Sequence, residues 1–233
     1  MADLKRFVPT IHAPFPYQRL ERNDSPSGRT YGPDKLPSVT TILSATKDKS
    51  HLDAWVARVG QEEAERIRND AATVGTHMHA VVENVLLGHD LPAPSNWLAV
   101  KGYWMGYKLI EEFFSNLSAV WGAEIPLHYP GKYAGTSDCI GVYRNCESII
   151  DFKQANKMKQ RSWIEDYFVQ LAAYAAAHNA LYGTNIRQGV ILMVSQDGNT
   201  MEFLTCGREF DSYKDAWMRR VEEYLAKKNA PAG

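Results

Sequence analysis

Two short apolar stretches that carry charged residues constrain most strongly what this chain can fold into. They lie at residues 133–138 and 148–153, and the polar residues 144–147 predict a turn between them. We therefore expect a β-hairpin. The Tyr and Thr residues of the first stretch and the Ile and Phe residues of the second favour a sheet, so the remaining elements of the chain are expected to pack around this hairpin.

Three charged side chains lie on the predicted hairpin. Side chains of a strand alternate between its two faces, so Asp151 and Lys153 point the same way. A turn of two or four residues would bring Asp138 opposite Lys153 or beside that position. Carboxylates among apolar residues are costly unless their charge is compensated, and a divalent cation such as Mg²⁺ or Mn²⁺ would do this. The alternative is a half-exposed hairpin with surface ion pairs, each worth about 0–1 kcal/mol.

The hairpin resembles the active-site motif of the PD-(D/E)xK nuclease superfamily, and within it the RecB-like exonuclease branch. Residues 75–83 resemble the helical Gly-Thr-x-x-His-x-x-x-Glu motif of this branch, and Gln170 and Tyr174 match its Gln-x-x-x-Tyr helix. Residues 36–43 resemble a segment of the mitochondrial genome maintenance exonucleases and related phage exonucleases. Ser137 stands where the superfamily name has proline, a substitution that is common in this branch. The shared order of the motifs argues against a chance match.

The resemblance implies roles for individual residues. Asp138 and Asp151 would bind one or two Mg²⁺ or Mn²⁺ ions together with the backbone carbonyl of Phe152, and His79 would complete the site from a helix. Lys153 would orient or deprotonate the attacking water. Four residues would support the site: Glu83, Glu124, Gln170 and Tyr174. Glu83 is four residues from His79 on the predicted helix and would orient it.

Two of these assignments have simpler alternatives. A lone histidine on a helix face, such as His79, is usually a core residue. An exposed glutamate on a strand, such as Glu124, is commonplace.

Two further segments are candidates for contact with DNA. Ser38 and Thr40 either cap a helix or donate hydrogen bonds to phosphate, and the resemblance implies that this segment touches the DNA strand. Lys157, Lys159 and Arg161 directly follow the hairpin, so a polyanion bound there would meet them next. A solvated loop is the alternative for these three residues.

Composition bounds the compartment and the partners. A net charge of −1 means that any phosphate affinity must come from local basic clusters. Three cysteines without Cys-x-x-Cys spacing cannot hold the four-cysteine iron–sulfur cluster of some members of the branch, and they fit a reducing compartment. No apolar run approaches the roughly 18 residues that span a membrane, and the N-terminus resembles no targeting segment. We therefore expect the cytoplasm of a bacterium or of a phage-infected host cell.

The order of predicted elements indicates the fold. The dense prolines of residues 1–37 predict an extended N-terminal arm, and its interleaved aromatic and basic residues suit either single-stranded nucleic acid or packing over the core. Residues 38–233 are expected to form a single nuclease domain. Periodicity predicts helices over 51–69, 71–87, 97–118, 162–182 and 211–228, a strand over 119–128 and a second hairpin over 188–206. This order predicts an α/β fold, with a mixed central β-sheet flanked by helices and a restriction-endonuclease-like core.

These observations predict a metal-dependent DNA exonuclease that hydrolyses phosphodiester bonds at single-stranded DNA ends. The alternatives are a structure-specific, flap-type endonuclease with the same catalytic residues and a catalytically silent DNA-binding recombination partner. The polarity of digestion and the oligomeric state stay open.

Overall fold

The two apolar stretches form the centre of a β-sheet in the computed structural model, which describes residues 10–48 and 50–229. Residues 1–9 of the predicted arm and 230–233 of the predicted domain lie outside the described part. The α-helices and strands follow one another in chain order as β1 (Thr10–Ile11), β2 (Arg22–Ser25), β3 (Gly28–Tyr31), β4 (Leu36–Pro37), α1 (Val39–Thr46), α2 (Ser50–Val59), α3 (Gln61–Leu87), α4 (Trp97–Phe113), β5 (Leu117–Tyr129), β6 (Tyr133–Tyr143), β7 (Cys146–Ala155), α5 (Glu165–Tyr182), β8 (Gln188–Ser195), β9 (Thr200–Cys206) and α6 (Gly207–Asn229).

The central sheet is mixed, in the order β1-β5-β6-β7-β8-β9. β5, β6 and β7 pair antiparallel, β7 and β8 pair parallel, and β8 and β9 pair antiparallel. Two apolar clusters cover its faces: one is formed with α1, α5 and α6, and the other with α3 and α4. This arrangement confirms the predicted α/β fold with a mixed sheet flanked by helices.

The hairpin turn has the shorter of the two lengths that the sequence left open. Tyr143 pairs with Cys146, so the loop consists of Arg144 and Asn145. Their φ angles are positive, at 48° for Arg144 and 64° for Asn145. Two positive φ angles are the geometry of a type I′ turn, whose twist matches that of the flanking strands. The prediction that residues 146–147 belong to the turn is therefore wrong, because they extend β7.

The predicted helix boundary near residue 70 is also wrong. The chain breaks instead at Gly60, whose φ of 89° suits a residue without a Cβ, and α3 then continues without interruption. Leu52, an apolar residue of α2, is 44% exposed. α4 ends at Phe113 rather than at 118, since a short 3₁₀ turn at Phe114–Asn116 leads into β5.

The chain between β1 and α1 forms a small antiparallel sheet, β2-β3-β4, that leads into α1. Ser38 caps α1, since its side chain accepts a hydrogen bond from the Thr41 N–H at 2.9 Å. The predicted helix start at this serine is thus confirmed. The division into an arm and a single domain at residue 37 stays a prediction.

Candidate active site

Three acidic residues line up across adjacent strands of the central sheet. The β6–β7 pairing ends at Cys139 and Ile150, and the next residues, Asp138 and Asp151, lie where the two strands separate. The β5–β6 register places Glu124 opposite Asp138. Because the hairpin turn has two residues, Asp138 lies beside Asp151, whereas the sequence had suggested Lys153 or the adjacent position.

Helix α3 lies on one face of the sheet and brings a side chain to the place where β6 and β7 separate. His79 of α3 brings its Nδ1 to 3.4 Å from Asp138 Oδ2. One ligand atom each from His79, Glu124 and Asp138 lies within 4.8 Å of the other two. Asp151 is outside this group, so the structure brings together a different set from the predicted ligands. The backbone N–H of Phe152 donates to Asp138 Oδ2 at 3.0 Å, and a role for the Phe152 carbonyl stays a prediction.

Asp151 is held from the opposite face of the sheet. It is only 2% exposed, and its Oδ2 forms an ion pair with Lys153 Nζ at 2.5 Å. Gln170 of α5 donates to Asp151 Oδ1 at 3.3 Å, and the Tyr174 hydroxyl accepts a long hydrogen bond from Gln170 at 3.4 Å. The Tyr174 ring packs on Gly135, where a Cβ would lie 2.8 Å from the ring. The predicted Gln-x-x-x-Tyr residues therefore both meet the hairpin.

The acids crowd one another electrostatically. Burial, together with the neighbouring carboxylates of Asp138, Glu83 and Asp151, raises the pKa of Glu124 to about 8. Burial also raises the pKa of Asp151 above its usual range, against the opposing effect of Lys153. Burial acts to lower the pKa of Lys153, but the carboxylates of Asp151 and Asp138 outweigh it and leave that pKa raised. The acids thus outnumber the basic groups that neutralise them.

This excess of negative charge fits a divalent cation. Carboxylate oxygens suit Mg²⁺ or Mn²⁺. Asp151 Oδ2 accepts no hydrogen bond of good geometry from any described residue and is left with its ion pair alone. The residues present therefore fit the predicted ion, whose identity as Mg²⁺ or Mn²⁺ stays a prediction.

The site opens into a cleft of about 650 Å³. His79, Glu83, Glu124 and Lys153 line it, together with arginines that the sequence reasoning did not assign to the site. These are Arg22 and Arg29 of the small N-terminal sheet. Sequence reasoning noted only that this segment mixes basic and aromatic residues, which does not indicate the face that the arginines occupy. The role of Glu83 in orienting His79 stays a prediction.

The predicted DNA contacts near α1 have different surroundings. Ser38 is 1% exposed, and its hydroxyl serves the cap and hydrogen-bonds to the hydroxyls of Thr40 and Thr41. Thr40 itself is exposed. The structure thus provides the capping alternative for Ser38, and contact of either residue with DNA stays a prediction.

The predicted basic cluster is partly engaged within the protein. Lys159 donates to the Tyr167 hydroxyl at 2.9 Å. Arg161 forms an ion pair with Glu209 at 2.7 Å. Lys157 is exposed. Of the three, Lys157 has the side chain most available for a phosphate.

No protein-family model matches this chain. Mitochondrial genome maintenance exonuclease 1 from human is 27% identical over an alignment of 237 residues, gaps included. The alignment covers 92% of this chain and 67% of that protein. Its Xenopus tropicalis namesake is 28% identical over 207 residues, covering 83% of this chain and 58% of that protein. The resemblance to PD-(D/E)xK-like nucleases is confirmed. The RecB-like branch stays a prediction.

A solved structure offers a weaker likeness. The crystal structure of a candidate exonuclease from Eubacterium rectale superposes with a TM-score of 0.47 at 14% identity, over 68% of this chain and 65% of that chain. No helix within residues 10–48 and 50–229 is long and apolar enough to cross a membrane. The cytoplasmic location stays a prediction, and the word "mitochondrial" belongs to the names of the relatives.

Proposed function

We propose that this chain is a metal-dependent exonuclease that hydrolyses phosphodiester bonds at the ends of single-stranded DNA. One observation carries the proposal: ligand atoms of His79, Glu124 and Asp138 lie within 4.8 Å of one another, beside the ion pair of Asp151 and Lys153. The relatives named exonucleases support a nuclease. The alignments span only part of those proteins, so the activity and substrate of this chain are proposals.

The cation site would be formed by His79, Glu124 and Asp138, with Asp151 adjacent to them. When bound there, Mg²⁺ or Mn²⁺ would lower the pKa of a water molecule and reduce the charge on the scissile phosphate. The imidazole and the carboxylates supply the nitrogen and oxygen donors for that ion. Phe152 holds the Asp138 carboxylate in place through its backbone N–H.

Lys153 provides a positive charge on the cleft wall. Its ion pair with Asp151 favours the protonated ammonium, which donates hydrogen bonds but accepts none. We therefore assign it to orienting the attacking water and to stabilising the charge that grows on the phosphate. Gln170 keeps Asp151 oriented toward Lys153 through its hydrogen bond to Oδ1.

The reaction is an in-line displacement at phosphorus. A water oxygen forms the new bond to phosphorus and releases one proton to solvent, the bond to the 3′ oxygen breaks, and that oxygen takes up a proton from solvent. There are two alternatives. A flap-type endonuclease would share this chemistry, and a silent DNA-binding recombination partner would lack it.

The test is incubation of the purified protein with linear and circular single-stranded DNA, with Mg²⁺ or Mn²⁺ and with chelator. We expect cleavage of the linear strand alone, only with the metal, and none by Asp138→Asn. The matched control Glu147→Gln changes an exposed acid on the hairpin and should cleave normally. Cleavage of circular DNA would support the endonuclease, and metal-independent binding without cleavage would support the silent partner.

A further inference from the structure

We propose that Arg22 and Arg29 form a phosphate-binding site that holds the nucleic-acid strand in the same cleft as the acidic cluster. The proposal rests on the proposed function for the identity of the strand. Both arginines line the same cleft as His79 and Lys153, although they come from a hairpin far away in the sequence. The ligand is the phosphodiester group next to the scissile one.

The two guanidinium groups are oriented by one carboxylate. In the β2–β3 hairpin, Asp24 pairs across the strands with Arg29 and lies two residues from Arg22. Asp24 binds Arg22 at 2.8 Å through Oδ2 and Arg29 at 2.7 Å through Oδ1. Two positive charges against one negative charge leave the cluster with a net charge of +1. The arginines are therefore oriented by Asp24 without being neutralised by it.

The hairpin that carries the arginines is anchored to the body of the protein. The Arg29 N–H donates to Thr41 Oγ1 at 2.9 Å, and Gly28 lies so close that a Cβ there would be 2.7 Å from the Thr41 side chain. The Tyr31 hydroxyl lies 3.0 Å from Thr136 Oγ1 on β6, the strand that carries Asp138. A fixed platform reduces the entropy lost when a ligand binds. The predicted motif around Ser38 thus contributes to the cleft by holding the arginine hairpin through Thr41.

The arginines remain accessible to a ligand. The side chain of Arg22 is 48% exposed and that of Arg29 is 33% exposed. Exposed ion pairs are weak, so a phosphate can share or displace the Asp24 contact. Guanidinium groups bind phosphate oxygens in a bidentate manner.

The negative charge elsewhere in the cleft means that a bound strand needs positive groups there. Glu83 and Glu124 lie along the same cleft and would repel the phosphates that flank the scissile bond. Arg161, in the basic segment singled out by the sequence, is paired with Glu209 instead. Arg22 and Arg29 therefore supply positive charge at the cleft, in a chain whose net charge is −1.

The test compares the double variant Arg22→Gln/Arg29→Gln with the wild type on a labelled single-stranded oligonucleotide over a range of salt concentrations. We expect KM to rise about 10-fold with kcat nearly unchanged. The slope of log affinity against log salt should fall in magnitude by about 0.7, since the contact to one phosphate of a single strand contributes about 0.7. The matched control Arg19→Gln/Arg208→Gln removes two exposed arginines that do not line the cleft, and it should behave as the wild type.

Fluorescence anisotropy in the Asp138→Asn background gives a second readout that is independent of cleavage. Lys substitutions at both positions should restore the salt slope but only part of the affinity, because lysine cannot bind bidentately. The lysine variant replaces the glutamine variant in the test if the glutamine variant folds poorly. If the wild type cleaves no DNA but the arginine variant still binds DNA more weakly than the wild type, the proposed exonuclease activity is contradicted. The phosphate-binding site is then still supported. Unchanged KM and salt slope in an active enzyme, a loss confined to kcat, or no DNA binding at all would overturn the site.

Discussion

The carboxylate of Asp138 accepts a hydrogen bond from the backbone N–H of Phe152 at 3.0 Å. This contact lies just past the last paired residues of β6 and β7, so a side chain satisfies an N–H that the sheet no longer pairs. The same carboxylate lies 3.4 Å from His79 Nδ1. One acid thus satisfies the backbone where the strands separate and also contributes negative charge to the candidate metal site.

Metal binding should stabilise the folded protein. At a Mn²⁺ concentration of 100 times the dissociation constant, we expect the free energy of unfolding to rise by about 2.7 kcal/mol. Asp138→Asn keeps an oxygen that can accept the Phe152 hydrogen bond but loses the charge, so it should fold and show little of this gain. Thermal denaturation with Mn²⁺ and with chelator measures the effect, with the exposed Glu147→Gln as the control. An undiminished gain in Asp138→Asn would remove this residue from the metal site.

Lys153→Ala and Asp151→Ala should abolish cleavage while leaving the fold intact. Loss of a group that stabilises the transition state costs about 10²–10³-fold in rate, and we expect at least that for either variant. In Lys153→Ala the buried Asp151 can take up a proton, because burial already raises its pKa, so the stability loss is limited. Single-turnover cleavage and circular dichroism separate the two effects. A variant that retains a near-normal rate would falsify the catalytic role.

Gln170 should act on the rate through Asp151. Removal of an outer partner of a metal site typically costs about 10–100-fold in activity or metal affinity, and we expect a loss in this range for Gln170→Ala, because Asp151 lies beside the cation site. Tyr174→Phe keeps the ring against Gly135 and should lose less. Measured kcat and Mn²⁺ affinity of both variants test this, with the exposed Gln160→Ala as a control. If Gln170→Ala kept both values, the contact would be only structural.

Tyr167 should position two lysines. The Nζ atoms of Lys153 and Lys159 each lie 5.1 Å from the centre of its ring. A cation–π contact is worth about 0.5–2 kcal/mol, so Tyr167→Leu should lower kcat by about 2- to 30-fold. Tyr167→Phe keeps the ring and loses only the hydrogen bond from Lys159, so its kcat should be close to that of the wild type. Equal kcat values for the two variants would rule out a role of the ring in catalysis.

The stability of the fold should decrease in mild acid because of His178. Burial lowers the pKa of this histidine from 6.5 to about 4, and Tyr17 and Thr184 hydrogen-bond its two ring nitrogens. Between these pH values the unfolded chain binds a proton that the native protein does not bind, so the free energy of unfolding falls as pH falls from about 6.5 to about 4. Denaturant unfolding of the wild type and His178→Gln at several pH values in this window measures the difference. If both lose stability in parallel, His178 does not contribute.

Local patterns predicted the elements well where a special backbone conformation did not intervene. The helix ending at Gly183, whose φ is 68°, follows the prediction because a glycine there relieves the left-handed strain. The break at Gly60 was missed because the apolar spacing on both sides continues in helical phase. The sequence left the turn at two or four residues and did not select the two-residue turn at Arg144 and Asn145, because an arginine with positive φ is uncommon.

The sequence by itself determined which side chains share one face of one element. Asp151 and Lys153 must lie together on a strand, and Gln170 and Tyr174 on a helix, because those spacings follow from backbone periodicity alone. Only the tertiary structure decided that Glu124 lies opposite Asp138. It also decided which arginines line the cleft. These meetings depend on strand register and on the packing of distant segments, which the burial of the whole core sets and no local spacing encodes.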